Sequence, residues 1–272
     1  MCEVQTMDYD GNVLSEDNVK ARIQDLRNLM LEQDDLKKMR IDDAFILRFL
    51  HRTQFHVENA FNTVKSYYSF IIDQSDWMVF DITNRMQDCL NMNMRAMLSA
   101  TDKYGKKIYY MRTDTVNPTK LSFAELNQVD FIWFESVLDD PDVQKHGLCL
   151  LIDISGFSWR LINWLTPTNI KRLVRKLENI ILKDATFHMV RCSKFAKLAI
   201  SMVWPFLPDL LKEKFIFHYN DLKPLLKDIS TDNLPKEYGG TLEVDFKTLN
   251  ADLILKQKQI CEKLEHYKLI SS

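Results

Sequence analysis

Residues 148–154 form a run that is apolar except for Asp153, bracketed by Gly147 and Gly156. A strand with one face in water alternates apolar and polar positions. A run without that alternation reads as a strand buried on both faces. Such a strand needs partners on both edges and helices on both sides, which points to an α/β protein with a mainly parallel or mixed sheet.

The flanking segments fit that scheme. Lys107–Met111, Phe187–Val190 and Phe215–Tyr219 read as further strands. Between them, Ser122-x-x-Glu125 is a capping box that opens a helix predicted to run through Leu138, ended by Asp140-Pro141. Thr166-Pro167 sets a capping hydroxyl before a proline at the first helical position, and that helix is predicted to reach about Lys183. Ser193 caps the next helix, which Pro205 and Pro208 break. Ahead of all this the chain reads as helix only. Ser15 precedes Glu16 and Asp17, which suit the positive end of a helix, and Leu26, Leu29 and Met30 supply an apolar stripe. Two more helices carry Ile41, Ala44, Phe45 and Phe49, then Val57, Ala60, Phe61, Val64, Tyr68 and Ile71, at i, i+3, i+4 spacing. This bundle is expected to end near 77–80. A helix with Met86, Leu90 and Met97 is expected before the turn at Asp102–Gly105.

Composition narrows the function classes. The 272-residue chain can bury a sizeable core, and a net charge of −2 gives no global field to draw in nucleic acid. Leu198–Pro208, a long uncharged apolar run, is too short to span a bilayer and holds two prolines. The first ten residues have neither a basic nor an apolar region, so no signal peptide is expected. Five widely spaced cysteines, with no C-x-x-C, suit a reducing cytoplasm better than a disulfide framework or a zinc knuckle. No G-x-G-x-x-G, G-x-x-x-x-G-K, G-x-S-x-G or H-E-x-x-H occurs, so neither a cofactor nor a metal is expected. His188 and His218, each beside apolar residues, read as strand or core residues, and Asp139, Asp140 and Asp142 as a solvated turn around Pro141. No catalytic residue emerges.

Several strings resemble the CRAL-TRIO family of lipid-binding and lipid-transfer proteins over roughly residues 40–243. They are Asp42–Leu50 with Phe55 and Val57-Glu58, then Gly147 with Leu150–Asp153 and Gly156-Phe157. Pro205-Phe206-Leu207, Phe217-His218 and Leu234-Pro235-Lys236-Glu237-Tyr238-Gly239-Gly240 follow in the family's order. The resemblance is greatest to the branch of tocopherol-transfer, retinaldehyde-binding and clavesin-like proteins. It implies an N-terminal helical lobe (1–84), a lipid-binding α/β lobe with a mixed sheet (85–243) and a C-terminal helical tail (244–272). It further implies a hydrophobic pocket under a mobile gate helix, without covalent chemistry.

By the same resemblance, lipid-facing positions are Asn127, Asp130, Phe134, Leu148, Ile152, Leu165, Leu173, Leu177 and Phe187. Asp130 has two readings, because a carboxylate beside an apolar hollow must be paired, hydrated or protonated: it binds a polar lipid end, or it pairs with a nearby Lys or Arg. The gate carries Ala196, Ala199, Ile200, Val203 and Phe206 at helical spacing, with Lys194 and Lys197 near its start, as suits a helix resting on a bilayer. Inositol-phosphate headgroups in some relatives meet a basic cluster. Its positions match His51, Lys183, Leu210 and Lys214 here, with Arg52 and Lys212 adjacent, so positive charge is thinned. Protonation of His51 is expected to strengthen headgroup binding below about pH 6.5.

The leading expectation is a non-enzymatic carrier that moves a tocopherol-, retinoid- or phospholipid-like molecule between membranes, cytoplasmic and transiently membrane-associated. The alternative is a phosphoinositide-dependent trafficking adaptor with weak lipid exchange. An enzyme using the pocket as its active site ranks last. Oligomeric state is open.

Overall fold

A computed structural model describes residues 6–79, 82–219 and 221–271. The chain begins with helices α1 (Glu16–Leu31), α2 (Asp43–Arg52), α3 (Val57–Asp73) and α4 (Asn84–Leu90). Each has a capping side chain that satisfies an otherwise unpaired amide: Ser15, Asp42, His56 and Thr83 accept from the backbone N–H three residues on. Their apolar stripes meet in one core that holds Leu26, Met30, Phe45, Phe49, Val64 and Ile71. Trp77 is buried after α3, while residue 80, at the expected end of the bundle, lies outside the described residues.

Five strands follow in the spatial order of the chain: β1 (Arg95–Thr101), β2 (Lys107–Arg112), β3 (Leu148–Asp153), β4 (Ala185–Val190) and β5 (Phe215–His218). β1 and β2 are antiparallel, and the other pairs are parallel. The crossovers carry α5 (Phe123–Glu135), α6 (Pro141–His146), α7 (Trp159–Ile162), α8 (Pro167–Glu178), α9 (Lys194–Val203) and α10 (Asp209–Lys212). After β5 come α11 (Leu225–Asp228), α12 (Phe246–Leu255) and α13 (Gln257–Ser271).

The central run behaves as its lack of alternation requires. Register aligns Leu150 of β3 with Tyr109 and Phe187 on one face, and Leu151 with Tyr110 and His188 on the other. Tyr109 packs on Phe134 of α5, and Tyr110 on Tyr238 and Phe246, so helical or loop segments cover both sides. Gly147 is fixed by its surroundings. Its φ is +87°, and a Cβ there would lie 1.8 Å from the Asp184 carbonyl oxygen.

Several boundaries differ from the expectation. Met97 lies in β1, not in a helix. α4 stops at Leu90, and a turn through Asn93, with φ +56°, sends the chain into an extended strand. Asp140-Pro141 opens α6 as well as following α5, because the Asp140 carboxylate accepts from the Asp142 amide. α8 ends at Glu178 rather than near Lys183. The Arg52 guanidinium takes the Glu178 and Ile180 carbonyls at 2.8 and 2.5 Å as the chain turns out of the helix.

A buried ionic network ties the early helices to the later ones. Arg48 of α2 meets Glu135 of α5 at 3.1 Å and Asp139 at 2.6 Å, and its side chain and that of Glu135 are each 1% exposed. Arg40 and Lys263 also reach Asp139. Burial alone would raise the Asp139 pKa. Arg48, Lys263 and Arg40 reverse that and hold it below the usual carboxylate range.

Candidate functional site

The sheet face that carries Met189 and Phe217 does not close against its helices. α8 presents Leu173 and Leu177, α9 presents Ala196, Ala199, Ile200 and Val203, and the loops after β3 and α7 add Ile154, Phe157 and Leu165. Together with Trp204, Leu207 and Phe215 they line a half-open cavity of about 180 Å³ whose walls are almost wholly apolar. α9 takes its position because the Ser193 hydroxyl accepts from the Ala196 amide and Pro205 prevents the helix from continuing. Its small inner residues leave the hollow open, while Phe195 and Leu198 point to solvent.

The structure gathers Leu165, Leu173, Leu177, Ala196, Ala199, Ile200 and Val203 around this cavity, and separates the other expected positions. Phe206 is 62% exposed and outside the wall, because the chain tightens into a 3₁₀ turn at Trp204–Phe206 that brings Trp204 and Leu207 inward instead. Leu148 is fully buried in the core. Ile152 shares the cavity's sheet face, paired with Met189, but does not line it. Asn127 and Phe134 line a smaller hollow of about 60 Å³ near Trp77 and Lys176.

Asp130 meets neither hollow. Its carboxylate is held by Arg95 at 2.9 Å, Lys176 at 2.8 Å and the Tyr109 hydroxyl at 2.8 Å. Burial would raise its pKa, but Lys176 and Arg95 outweigh burial and the group stays ionised. Of the two readings of this residue, the geometry favours the ion pair. Asp130→Asn should therefore leave the bound lipid unchanged and cost about 3 kcal/mol of stability, because the buried Arg95 and the half-buried Lys176 lose their counter-charge. Chemical denaturation of the variant, with extraction of its lipid, checks this; a changed lipid at unchanged stability would contradict it.

The basic positions fall in three places. Arg52, Lys183 and Lys214 line an open cleft of about 450 Å³ beyond α8, with Phe187, Leu177 and Leu210. Lys214 bonds Asp184 at 2.8 Å, and Asp184 also holds Lys106. Lys212 lies apart from the cleft's lining and pairs with Asp209. His51 lies in a separate crevice with Lys145 and Lys183, and desolvation plus those two lysines push its pKa down to about 4. The expected gain of charge at His51 below pH 6.5 is therefore corrected: the folded protein keeps this ring neutral there.

His188 behaves alike. It is fully buried, its Nδ1 lies 3.0 Å from His218 Nε2, and burial and His218 push its pKa down to about 4. Above pH 6.5 the ring is neutral in both folded and unfolded chains and contributes nothing to pH dependence. As pH falls from 6.5 towards 4, only the unfolded chain takes the proton. Stability should then fall by about 1.4 kcal/mol per pH unit from this residue alone. Urea denaturation at pH 7 and pH 5 measures the slope, and His188→Gln should lower it by about that amount, leaving the part due to His51; an equal slope in the variant would refute the assignment.

Among the described residues, no group of three or more His, Cys, Asp or Glu side chains is placed to hold a metal, and no helix is long and apolar enough to cross a membrane. The walls missed in the sequence, Met189, Phe215 and Phe217, had a signal. With Phe187 they occupy alternate positions of two strands and share one face. Phe157 and Trp204 had none, since their loop and turn fix their direction.

Comparisons with known proteins place the chain among relatives. Rat Clavesin-1 (Rattus norvegicus) is 29% identical over 224 residues, which cover 81% of this chain and 63% of that protein, so the chain spans less than two thirds of this relative's length. Human Clavesin-2 (Homo sapiens) is 26% identical over 229 residues, covering 83% of this chain and 70% of that protein. The crystal structure of Sfh5 superposes with a TM-score of 0.57 at 14% identity, covering 92% of this chain and all of that one, which establishes the shared fold. The CRAL/TRIO domain model matches residues 91–240, more than half of the sequence, and its span holds β1–β5, α8, α9 and the cavity between them. The chain belongs to the CRAL-TRIO family of lipid-binding and lipid-transfer proteins, on its clavesin-like branch.

Proposed function

We propose that this protein holds one hydrophobic molecule in the cavity under α9 and carries it between membranes without changing it chemically. The observation that supports this most is the cavity itself, closed on one side by a single ten-residue helix with small residues inside and Phe195 and Leu198 outside. Its walls offer no nucleophile or base, which favours carriage over catalysis. At about 180 Å³ it is only slightly larger than an apolar cavity that holds benzene, about 150 Å³. A whole tocopherol-, retinoid- or phospholipid-like ligand therefore needs more room than the resting pocket gives, which displacement of α9 would supply. Helix displacement at a membrane surface would both open the cavity and bury the exposed Phe195, Leu198 and Phe206 in the interface. In this reading residues 1–84 form a helical support, 85–243 the lipid-binding unit and 244–272 a tail, and the protein is cytoplasmic and transiently membrane-bound. Transfer of fluorescent tocopherol, retinoid and phosphatidylcholine analogues from donor to acceptor vesicles tests it. Accelerated transfer of at least one is expected; no acceleration of any would count against a carrier.

A second reading, a phosphoinositide-dependent adaptor with secondary exchange, draws on the cleft of Arg52, Lys183 and Lys214. Arg52 already serves backbone carbonyls and Lys214 already faces Asp184, so headgroup binding should be weak and screened by salt. It should be alike at pH 6 and 7.5, with His51 neutral at both. Co-sedimentation with phosphatidylinositol bisphosphate vesicles at two salt concentrations measures this. Tight, salt-resistant binding would favour the adaptor.

A further inference from the structure

α9 has little chain on which to turn. The Val190 carbonyl accepts from the Ile154 amide at 3.1 Å, and the Arg191 amide donates to the His218 carbonyl at 3.2 Å, so the end of β4 is bonded on both edges. The Ser193 cap then opens the helix. Only the dihedrals of Arg191 and Cys192 are left to set the direction in which α9 leaves the sheet. Arg191 has φ +53°, the left-handed region in which a Cβ crowds the following carbonyl oxygen. A residue with a side chain stays there only when its surroundings hold it.

What holds it is its own guanidinium. Arg191 Nη2 bonds the Asp153 carboxylate and reaches the Tyr238 hydroxyl at 3.4 Å, and the group stands over the Tyr238 ring, 4.9 Å from its centroid. Asp153 ends β3 and its side chain is 1% exposed. The Tyr238 hydroxyl donates to it at 2.6 Å and the Ser155 amide at 2.9 Å, so Arg191 supplies the charge that this buried carboxylate needs. The grip can also release. One nitrogen makes both bonds, Nε is buried without a hydrogen-bond partner among the described residues, and the side chain is 39% exposed, so water can take up the guanidinium as it leaves. Ring contacts fasten the rest of the helix: Trp204 meets Phe215 and Phe217 at 5.8 and 5.6 Å, and Lys197 lies 5.1 Å over Tyr219.

Resting on the reading that ligand passes under α9, we propose that Arg191 is the positioning residue that latches this helix shut through Asp153 and Tyr238. In the closed state the ion pair holds the crowded backbone, and the backbone directs α9 across the Met189–Phe217 face of the sheet. When the guanidinium leaves Asp153, φ returns to the ordinary negative region and α9 is redirected away from the cavity. Relief of the crowding offsets part of the lost ion pair, which keeps the two states close in free energy. Arg191 touches no ligand in this scheme; it sets how often the cavity opens.

Amide hydrogen exchange on the purified full-length protein tests this, since it reads the opening of α9 with no ligand added. Arg191→Ala removes the grip and keeps the crowding, so the amides of 194–203 should exchange about tenfold faster. Arg191→Gly removes both, so their gain should be smaller, about threefold. Arg191→Lys returns a charge to Asp153 and should restore most of the protection. Amides of α1–α3 should be unchanged in all three, because Arg191 lies outside their core. Loss of fluorescent tocopherol, retinoid or phosphatidylcholine analogues to excess phosphatidylcholine vesicles should follow the same order. Unchanged α9 exchange in Arg191→Ala, a gain in Arg191→Gly that equals or exceeds it, or a rise spread evenly over the chain would overturn the proposal. The expected order in α9 exchange, with no faster loss of any analogue, would uphold the latch and count against passage of lipid under α9 instead.

Discussion

Leu177→Asp should empty the cavity. Leu177 is the α8 side chain that lines both chambers, and on the cavity side a carboxylate there meets walls that are almost wholly apolar. Burying an ionised group without a partner costs several kcal/mol, so the variant either protonates or draws water into the space that lipid would fill. Lipid retained per protein should fall at least tenfold. The fold should survive, because Leu177 is only partly buried and the main core lies on Leu26, Phe45, Leu148 and their neighbours. Leu177→Met, which conserves volume, should retain lipid and cost less than about 1.5 kcal/mol. Lipid extraction after matched purification measures both. Full occupancy in a folded Leu177→Asp protein would place the ligand elsewhere.

Arg48→Met should produce the largest loss of stability. The guanidinium is the shared partner of Glu135 and Asp139 and joins α2 to the end of α5. Its removal leaves Glu135, 1% exposed, facing the buried hydroxyls of Tyr67 and Tyr267 without its cation. Breaking a buried pair from one side typically costs about 3–5 kcal/mol, which corresponds to a fall in Tm of roughly 6–20 °C at this size. Adding Glu135→Gln should recover part of it, since the uncompensated charge, more than the lost contact, carries the cost. Thermal unfolding of the two variants tests the point. A loss that simply doubles in the double variant would contradict it.

What the sequence disclosed and what it hid follow from the range of the interactions. The buried strand at 148–153, the proline-opened α8 and the serine-capped α9 depend on neighbours a few residues away, so their residues announced them. β1 was hidden because Met86, Leu90 and Met97 fall close enough to helical spacing to disguise the turn at 91–93. The cavity's helical side was legible, since Leu173, Leu177, Ala196, Ala199, Ile200 and Val203 follow helical periodicity. Its loop side was not: Ile154, Phe157 and Trp204 are turned inward by contacts far along the chain. Asp130 is the plainest instance. Its partners Arg95 and Lys176 lie 35 and 46 residues away, so no local pattern distinguishes an ion pair from a ligand handle. His51 likewise was expected to gain a charge below about pH 6.5, and only its desolvation beside Lys183 and Lys145 keeps it neutral.

The central claim is that one hydrophobic molecule occupies the space enclosed by α8, α9 and the Met189–Phe217 face of the sheet. Native mass spectrometry of the protein purified from lipid-containing cells addresses it most directly. The account predicts a single added mass at near one-to-one stoichiometry, released on denaturation as an intact, extractable lipid and absent from Leu177→Asp. A wild-type protein that carries no lipid after exposure to mixed lipid vesicles, or a bound lipid retained equally by folded Leu177→Asp, would contradict it.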